Sequence, residues 1–301
     1  MWKKILQKNL IEPRKKKDHF PLYIPERLTK KMEKNDPLYK QFVPSKKEEE
    51  ITPGFSCNPT GDVESLITPK LLHKYQGRAL LIASGACAMH CRYCFRQHFS
   101  YESDKDFSDE MEHISKDSTI EEILLSGGDP LSLSDKRLGD LLKALNDIPH
   151  VQRVRFHTRF PVGIPERITE EFILSLKKFE RTMIFVLHIN HSKETDDDFF
   201  KAMRLLTKEN ILLFCQSVLL RGVNDDVLVL RELYLSLIKQ QIIPYYLHQL
   251  DQVQGAKHFE VPVEEGKKIY HELQKVLPGY ALPRYVKEVA GAPYKVPLYG
   301  L

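Results

Sequence analysis

Three of the chain's five cysteines stand close together, Cys87, Cys91 and Cys94, in the stretch "CAMHCRYCFRQHF". Their spacing is C-x3-C-x2-C. A structural zinc site normally takes four protein ligands, and His90 or His98 could complete one here. A [4Fe–4S] cluster also takes four thiolates. If only three are supplied, one iron stays open to a ligand able to chelate it. The loop is also rich in cationic side chains, Arg92 and Arg96 among them.

The loop follows a short apolar run, "ALLIAS" (79–84), which reads as a strand. Five similar runs follow: the one within 119–130, and those at 153–158, 183–190, 211–218 and 242–250. Helical patterns separate them at 134–148, 169–179, 195–209 and 226–240, the first opening on an N-cap serine. The acidic run 196–198 suits a helix N-terminus. This rhythm predicts an α/β fold, a partial, open parallel β/α barrel of about six βα units. A doubly wound sheet has the same pattern. In a barrel the chemistry lies at the C-terminal strand ends. There the chain puts the cysteine loop, the turn "SGGDP" with Gly127, Gly128 and Asp129, then His157 and Arg159, "HINH", "QSVLLRGVND" and "HQLD".

The organisation expected is an arm over residues 1–70, proline-rich and irregular, wrapping a body over 71–301. Net charge is +4, too weak to argue for nucleic acid, and its positive excess sits in residues 1–50, where "PRKKKDHF" reads as a solvated arm. No apolar run is long enough to span a membrane. The opening "MWKKILQKNL" lacks the features of a signal peptide. Crowded cysteines without a disulfide framework point to a reducing cytoplasm. Oligomeric state is left open, a homo-oligomer included.

The cysteine spacing, with aromatic Tyr93 before the last thiol and a strand before the loop, resembles the radical S-adenosylmethionine superfamily. The resemblance implies a cluster on Cys87, Cys91 and Cys94, with S-adenosylmethionine chelating the open iron. An external one-electron donor would reduce the cluster, which then breaks a C–S bond and leaves a 5′-deoxyadenosyl radical. It gives Gly127, Gly128 and Asp129 to the methionyl amino group and makes Gln216 a candidate for the methionyl end. The blocks "CRYCFRQHF", "LSGGDPL", "IPERIT", "HINH", "QSVLLRGVND", "PYYLHQLD" and "GAPYKVPL", in that order, further resemble the lysine 2,3-aminomutase family. That resemblance adds pyridoxal phosphate and the migration of an amino group between the α and β carbons. Lys295 is then the Schiff-base lysine, and Arg78 and Lys74 serve the cofactor phosphate. Lys74 stands where the family has arginine, and a lysine offers a point charge without the bidentate fork. Arg96 matches the residue for the substrate carboxylate. Asp251 and Glu288 match the two acids for a distant ammonium, with glutamate in place of the usual aspartate.

L-lysine is the substrate so implied; glutamate-specific relatives replace the acids. Longer catabolic members continue past the position of Leu301 and carry a zinc-binding cysteine where this chain has Asp226. The present form resembles the branch whose β-lysine a separate ligase attaches to elongation factor P. Glu288 is read as favouring the (R) product. Free-lysine catabolism is the nearest rival. A binding protein with structural zinc is the rival of a different class.

Overall fold

The computed structural model describes residues 20–101 and 106–299. The basic run before Phe20 lies outside the described residues, as does the chain end at 300–301.

Among the described residues ten strands form one sheet in chain order. They are β1 (Leu66–Thr68), β2 (Leu71–Tyr75), β3 (Arg78–Ser84), β4 (Glu122–Gly127), β5 (Arg153–Thr158), β6 (Thr182–His188), β7 (Leu212–Val218), β8 (Ile243–His248), β9 (Arg284–Lys287) and β10 (Val296–Pro297). Strands β3 to β9 run parallel. Strands β1 and β2 precede them antiparallel, and β10 closes antiparallel on β9. No pairing joins β1 to β10 among the described residues, so the sheet is an open, partial barrel.

The six anticipated strands are β3 to β8. The seventh parallel strand, β9, is four residues long with no helix after it, so it lacks the βα rhythm that revealed the others. The three antiparallel strands are also short. The pairing of Val296 with Lys287 carries the C-terminal segment back to the sheet. Pro297 is tolerated there because an edge strand need not donate its N–H.

Four helices start on side-chain caps that satisfy otherwise orphaned N–H groups, while Val263–Val276, preceded by Pro262, does not. Ser134 caps Asp135–Asn146, Thr169 caps Glu170–Leu176, Asp196 caps Asp197–Lys208 and Asp226 caps Val227–Ile238. Asp196 and Asp198 also pair with Arg27, and Asp196 with Lys31, on the helix Glu26–Lys31. The acidic run thus starts one helix and pins the N-terminal segment against it.

Strand alternation divides the sheet into two faces. On β5, Val154 and Phe156 are buried in a core shared with Leu138, Leu142, Phe172 and Leu206, while Arg155 and His157 line the barrel interior. Phe156 stacks on Phe185 with ring centroids 4.4 Å apart, and Phe172 meets Phe185 edge-on at 6.4 Å. Phe185 is fully buried. Phe185→Ala is expected to cost about 3–5 kcal/mol, read as a lower denaturant midpoint with an unchanged slope.

Candidate active site

A cavity of about 650 Å³ opens at the C-terminal strand ends, and every residue that the family resemblance assigns to the site lines it, whereas His98 does not. The cysteine loop forms one wall. It has little regular structure, so its backbone needs partners from elsewhere. The N-terminal segment supplies them. His90 N–H donates to the Tyr23 carbonyl at 2.9 Å, and Arg92 N–H to that of Gln41 at 2.8 Å. The Arg92 side chain is buried and paired with Glu48, and it donates to the Phe20 carbonyl at 3.0 Å. Arg92 therefore holds the loop from behind.

Burial pushes the Cys94 thiol up to about 11, against the opposing pull of Arg96 and Arg159. Burial also raises Cys87. Among the described residues no three His, Cys, Asp or Glu side chains gather closely enough to hold a single metal ion. Three free thiols lining one cavity are a donor set that suits an iron–sulfur cluster. Of the other cysteines, Cys215 is buried and burial pushes its thiol up to about 12, while Cys57 is exposed.

The turn after β4 lies flush against the start of this loop. Gly127 has φ +116°, and a Cβ there would sit 2.3 Å from the Ser84 carbonyl oxygen. A Cβ on Gly128 would lie 2.4 Å from that of Ala86. Only glycines allow that approach. The Asp129 carboxylate is buried and engaged by the protein. It accepts from the backbone N–H groups of Leu131, Arg159 and Phe160, and from the Thr158 hydroxyl. What Asp129 offers is a fixed turn.

Across the cavity, the Asp62 carboxylate bridges two cations. Arg96 Nε donates to it at 2.7 Å and Lys74 Nζ at 2.5 Å. Burial opposes charge on Asp62, yet Arg96 and Lys74 together hold its carboxyl well below the usual range. Arg96 also donates to the Ser126 hydroxyl at 3.1 Å, and Lys74 to the Thr60 carbonyl. Arg78 packs over the Tyr75 ring at 4.6 Å.

Lys295 pairs with Glu288, which also accepts from the Tyr75 hydroxyl. Burial is the largest influence on Asp251 and pushes its carboxyl up to about 7, with Lys295 opposing and Glu288 reinforcing. Burial keeps His157 and His248 neutral, and Lys295 reinforces this in both. His157 Nε2 is buried in the cavity wall and has no hydrogen-bond partner among the described residues. An orphaned polar atom beside a lysine and clustered cations fits a polar, anionic cofactor there. His188 also lines the cavity, its Nε2 lying 3.1 Å from the Tyr93 hydroxyl, whereas His191 caps the short helix Ser192–Glu194.

Sequence reasoning missed Asp62, Tyr75, Gln41 and Glu194. The first two lie in a turn and a short strand without periodicity. Gln41 and Glu194 matter only through tertiary contacts. Arg155 carried a usable signal, since Arg153, Arg155 and His157 recur at every second place on β5; Tyr246 did not.

The radical SAM superfamily profile matches residues 81–233. A radical SAM methyltransferase from Sphaerobacter thermophilus superposes with a TM-score of 0.52 at 17% identity, over 72% of this chain and 68% of that one, a likeness of fold alone. The profile and the three-thiol loop define the class as radical SAM. An L-lysine 2,3-aminomutase of Haemophilus influenzae is 44% identical over 283 residues, covering 92% of this chain and 84% of that protein. One from Escherichia coli is 41% identical over 299 residues, with 97% and 87% covered. One from Clostridium subterminale is 36% identical over 269 residues, with 88% and 64% covered. The chain belongs to the lysine 2,3-aminomutase family of that superfamily.

Asp251 gives a pH signature. Its folded-state carboxyl, at about 7, lies above the ordinary value of 3.8, so the folded form holds the extra proton between those limits. Stability of the cofactor-free protein should fall as pH rises through that window. Asp251→Asn should flatten that part of the profile and raise the melting temperature at pH 8, as scanning calorimetry would record.

Proposed function

We propose that this protein converts L-α-lysine to β-lysine by radical 2,3-amino migration. One observation carries the reading. A single cavity has the three-cysteine loop on one wall and Lys295, Glu288 and Asp251 on another, with Arg96 lining it as well. Cys87, Cys91 and Cys94 hold a [4Fe–4S] cluster, and the flush turn at Gly127 and Gly128, with Gln216, receives the methionyl end of S-adenosylmethionine. When bound, the cluster with S-adenosylmethionine would supply radical chemistry, and pyridoxal phosphate a covalent hold on the substrate nitrogen.

The protein's own task is to hold charge and position. Lys295 anchors the pyridoxal group. Arg78 and Lys74 face its phosphate, with Arg78 the main contributor because Asp62 and the Thr60 carbonyl already engage Lys74. Arg96, oriented by Asp62 and Ser126, takes the substrate carboxylate. Asp251 and Glu288 take the ε-ammonium, and an arriving cation favours ionised Asp251. Two acids here select lysine over glutamate, whose side chain they would repel. Residues 1–70 act as the arm that steadies the body over 71–301.

We further infer that the β-lysine is the (R) form and serves elongation factor P through a separate ligase. Identity is higher to the Haemophilus influenzae and Escherichia coli proteins than to the Clostridium subterminale one. Asp226, at the zinc-cysteine position of catabolic members, caps Val227–Ile238 by accepting from the N–H groups of Leu228 and Val229, a role that needs no metal. The reading puts the protein in the cytoplasm; among the described residues no helix is long and apolar enough to cross a membrane.

Two variants test the cofactor roles. Anaerobic assay of Cys91→Ala and Lys295→Ala should detect no β-lysine from either. Cys91→Ala should lose iron and acid-labile sulfide while keeping the pyridoxal absorbance. Lys295→Ala should do the reverse, and wild-type turnover by either variant would refute its assignment. For the pathway, deletion of the gene should remove the β-lysyl mass increment from elongation factor P. An unchanged mass would favour free-lysine catabolism. Chiral chromatography showing only (S)-β-lysine would reject the stereochemical reading.

A further inference from the structure

Arg159, the first residue after β5, has no task in the proposed chemistry, yet it is one of the most heavily engaged side chains in the molecule. It is 5% exposed. Its Nη1 lies 2.9 Å from Cys91 Sγ and also donates to the Tyr93 hydroxyl. Its Nη2 donates to Gln41 Oε1 and to Glu194 Oε2, each at 2.7 Å. The guanidinium also faces the rings of Phe42 at 4.7 Å and Tyr93 at 5.7 Å. Glu194 is fully buried, and its other oxygen accepts from the backbone N–H groups of Asn190 and His191 and from the Gln41 amide.

We propose that Arg159 raises the reduction potential of the iron–sulfur cluster through Cys91, and that Glu194 limits the rise. The inference rests on Cys91 being a cluster ligand. Burying an ion pair costs several kcal/mol of desolvation per ion, and an apolar pair of similar volume would fill the same space. A guanidinium with one N–H directed at sulfur is poorly explained by packing alone. Cluster sulfurs carry negative charge, and reduction adds one more electron. A cation and an N–H donor at a ligand sulfur stabilise the reduced state more than the oxidised one. Glu194 opposes this by offsetting part of the positive charge while fixing the guanidinium's direction. Gln41 adds a neutral acceptor, so the pair is positioned without being fully neutralised. Arg159 is a positioning residue in this sense: it acts through Cys91.

The two charges make opposite demands, which a merely structural strut would not. The test is an anaerobic redox titration of the reconstituted enzyme without S-adenosylmethionine, followed by the electron paramagnetic resonance signal of the reduced cluster. Arg159→Gln should make the cluster harder to reduce, and Glu194→Gln easier. Each should move the reduction equilibrium by about tenfold or more, equivalent to ~59 mV for one electron. Arg159→Lys should fall between wild type and Arg159→Gln. Shifts in the same direction for Arg159→Gln and Glu194→Gln, or no shift in Glu194→Gln, would overturn the proposal. If Arg159→Gln takes up no iron, Glu194→Gln decides alone: an easier reduction supports the proposal, and anything else overturns it. Cys91→Ala separates the two levels. Should it keep a wild-type four-iron signal, the ligand assignment itself fails. Should it lose the cluster while Glu194→Gln leaves the potential unmoved, only the present inference fails.

Discussion

The buried pair of Arg92 and Glu48 joins the cysteine loop to the segment that precedes the barrel, and the site's geometry depends on that union. The loop leaves β3 with three thiols, and its own backbone bonds are confined to turns between Cys91 and Phe99. Its conformation is therefore set by what packs behind it. Backbone donors at His90 and Arg92 find carbonyls at Tyr23 and Gln41, and the Arg92 guanidinium fills the space between. Gln41 then reaches Arg159 and Glu194, so the same segment braces loops from β5 and β6. Removing one partner from such a network leaves buried polar groups unpaired, which costs more than the lost contact alone.

The cavity carries charge before any ligand arrives. Asp62 stands between Arg96 and Lys74, and Glu288 stands against Lys295. Lys74, Arg96 and Lys295 each already have an acid beside them, whereas Arg78 rests on the Tyr75 ring. Without those acids the folded protein would bury several like charges together, at a cost that rises as the local dielectric falls. The arrangement keeps the side chains pointed and charged while leaving polar capacity, such as that of His157 Nε2, for a ligand.

Much of this was legible in the chain, for physical reasons. The strands β3 to β8 are short apolar runs, and the helices after β4 to β7 announce themselves by Ser134, Thr169, Asp196 and Asp226 at their caps, whereas those after β3 and β8, Ser108–Lys116 and Val263–Val276, have no such cap to read. The residues expected at the site sit at strand ends, where a parallel β/α arrangement must put them together. The seventh parallel strand was hidden because four residues, Arg284–Lys287, carry no periodicity to read. Asp62 was hidden because its meaning comes from Arg96 and Lys74, which the fold brings to it. Arg92 looked like one more cation in a basic loop, and only its burial distinguishes it from a solvated one. Pattern reveals what a residue's neighbours in sequence demand of it. It does not reveal contacts that span the molecule.

The order of the sheet follows the order of the chain, and the last two strands come late. Tyr75 and Glu288, hydrogen-bonded in the finished cavity, are 213 positions apart in sequence. Closing so long a loop carries an entropic cost that must be met before its contacts repay it. A chain that has built the sheet only as far as β8 already holds the cysteine loop, the glycine turn and Arg96, but it has no Lys295 and no Glu288. The thiol-bearing and lysine-bearing halves of the pocket thus come from opposite ends of the strand order, and the pairing of β9 with β8 and of β10 with β9 carries the second to the first.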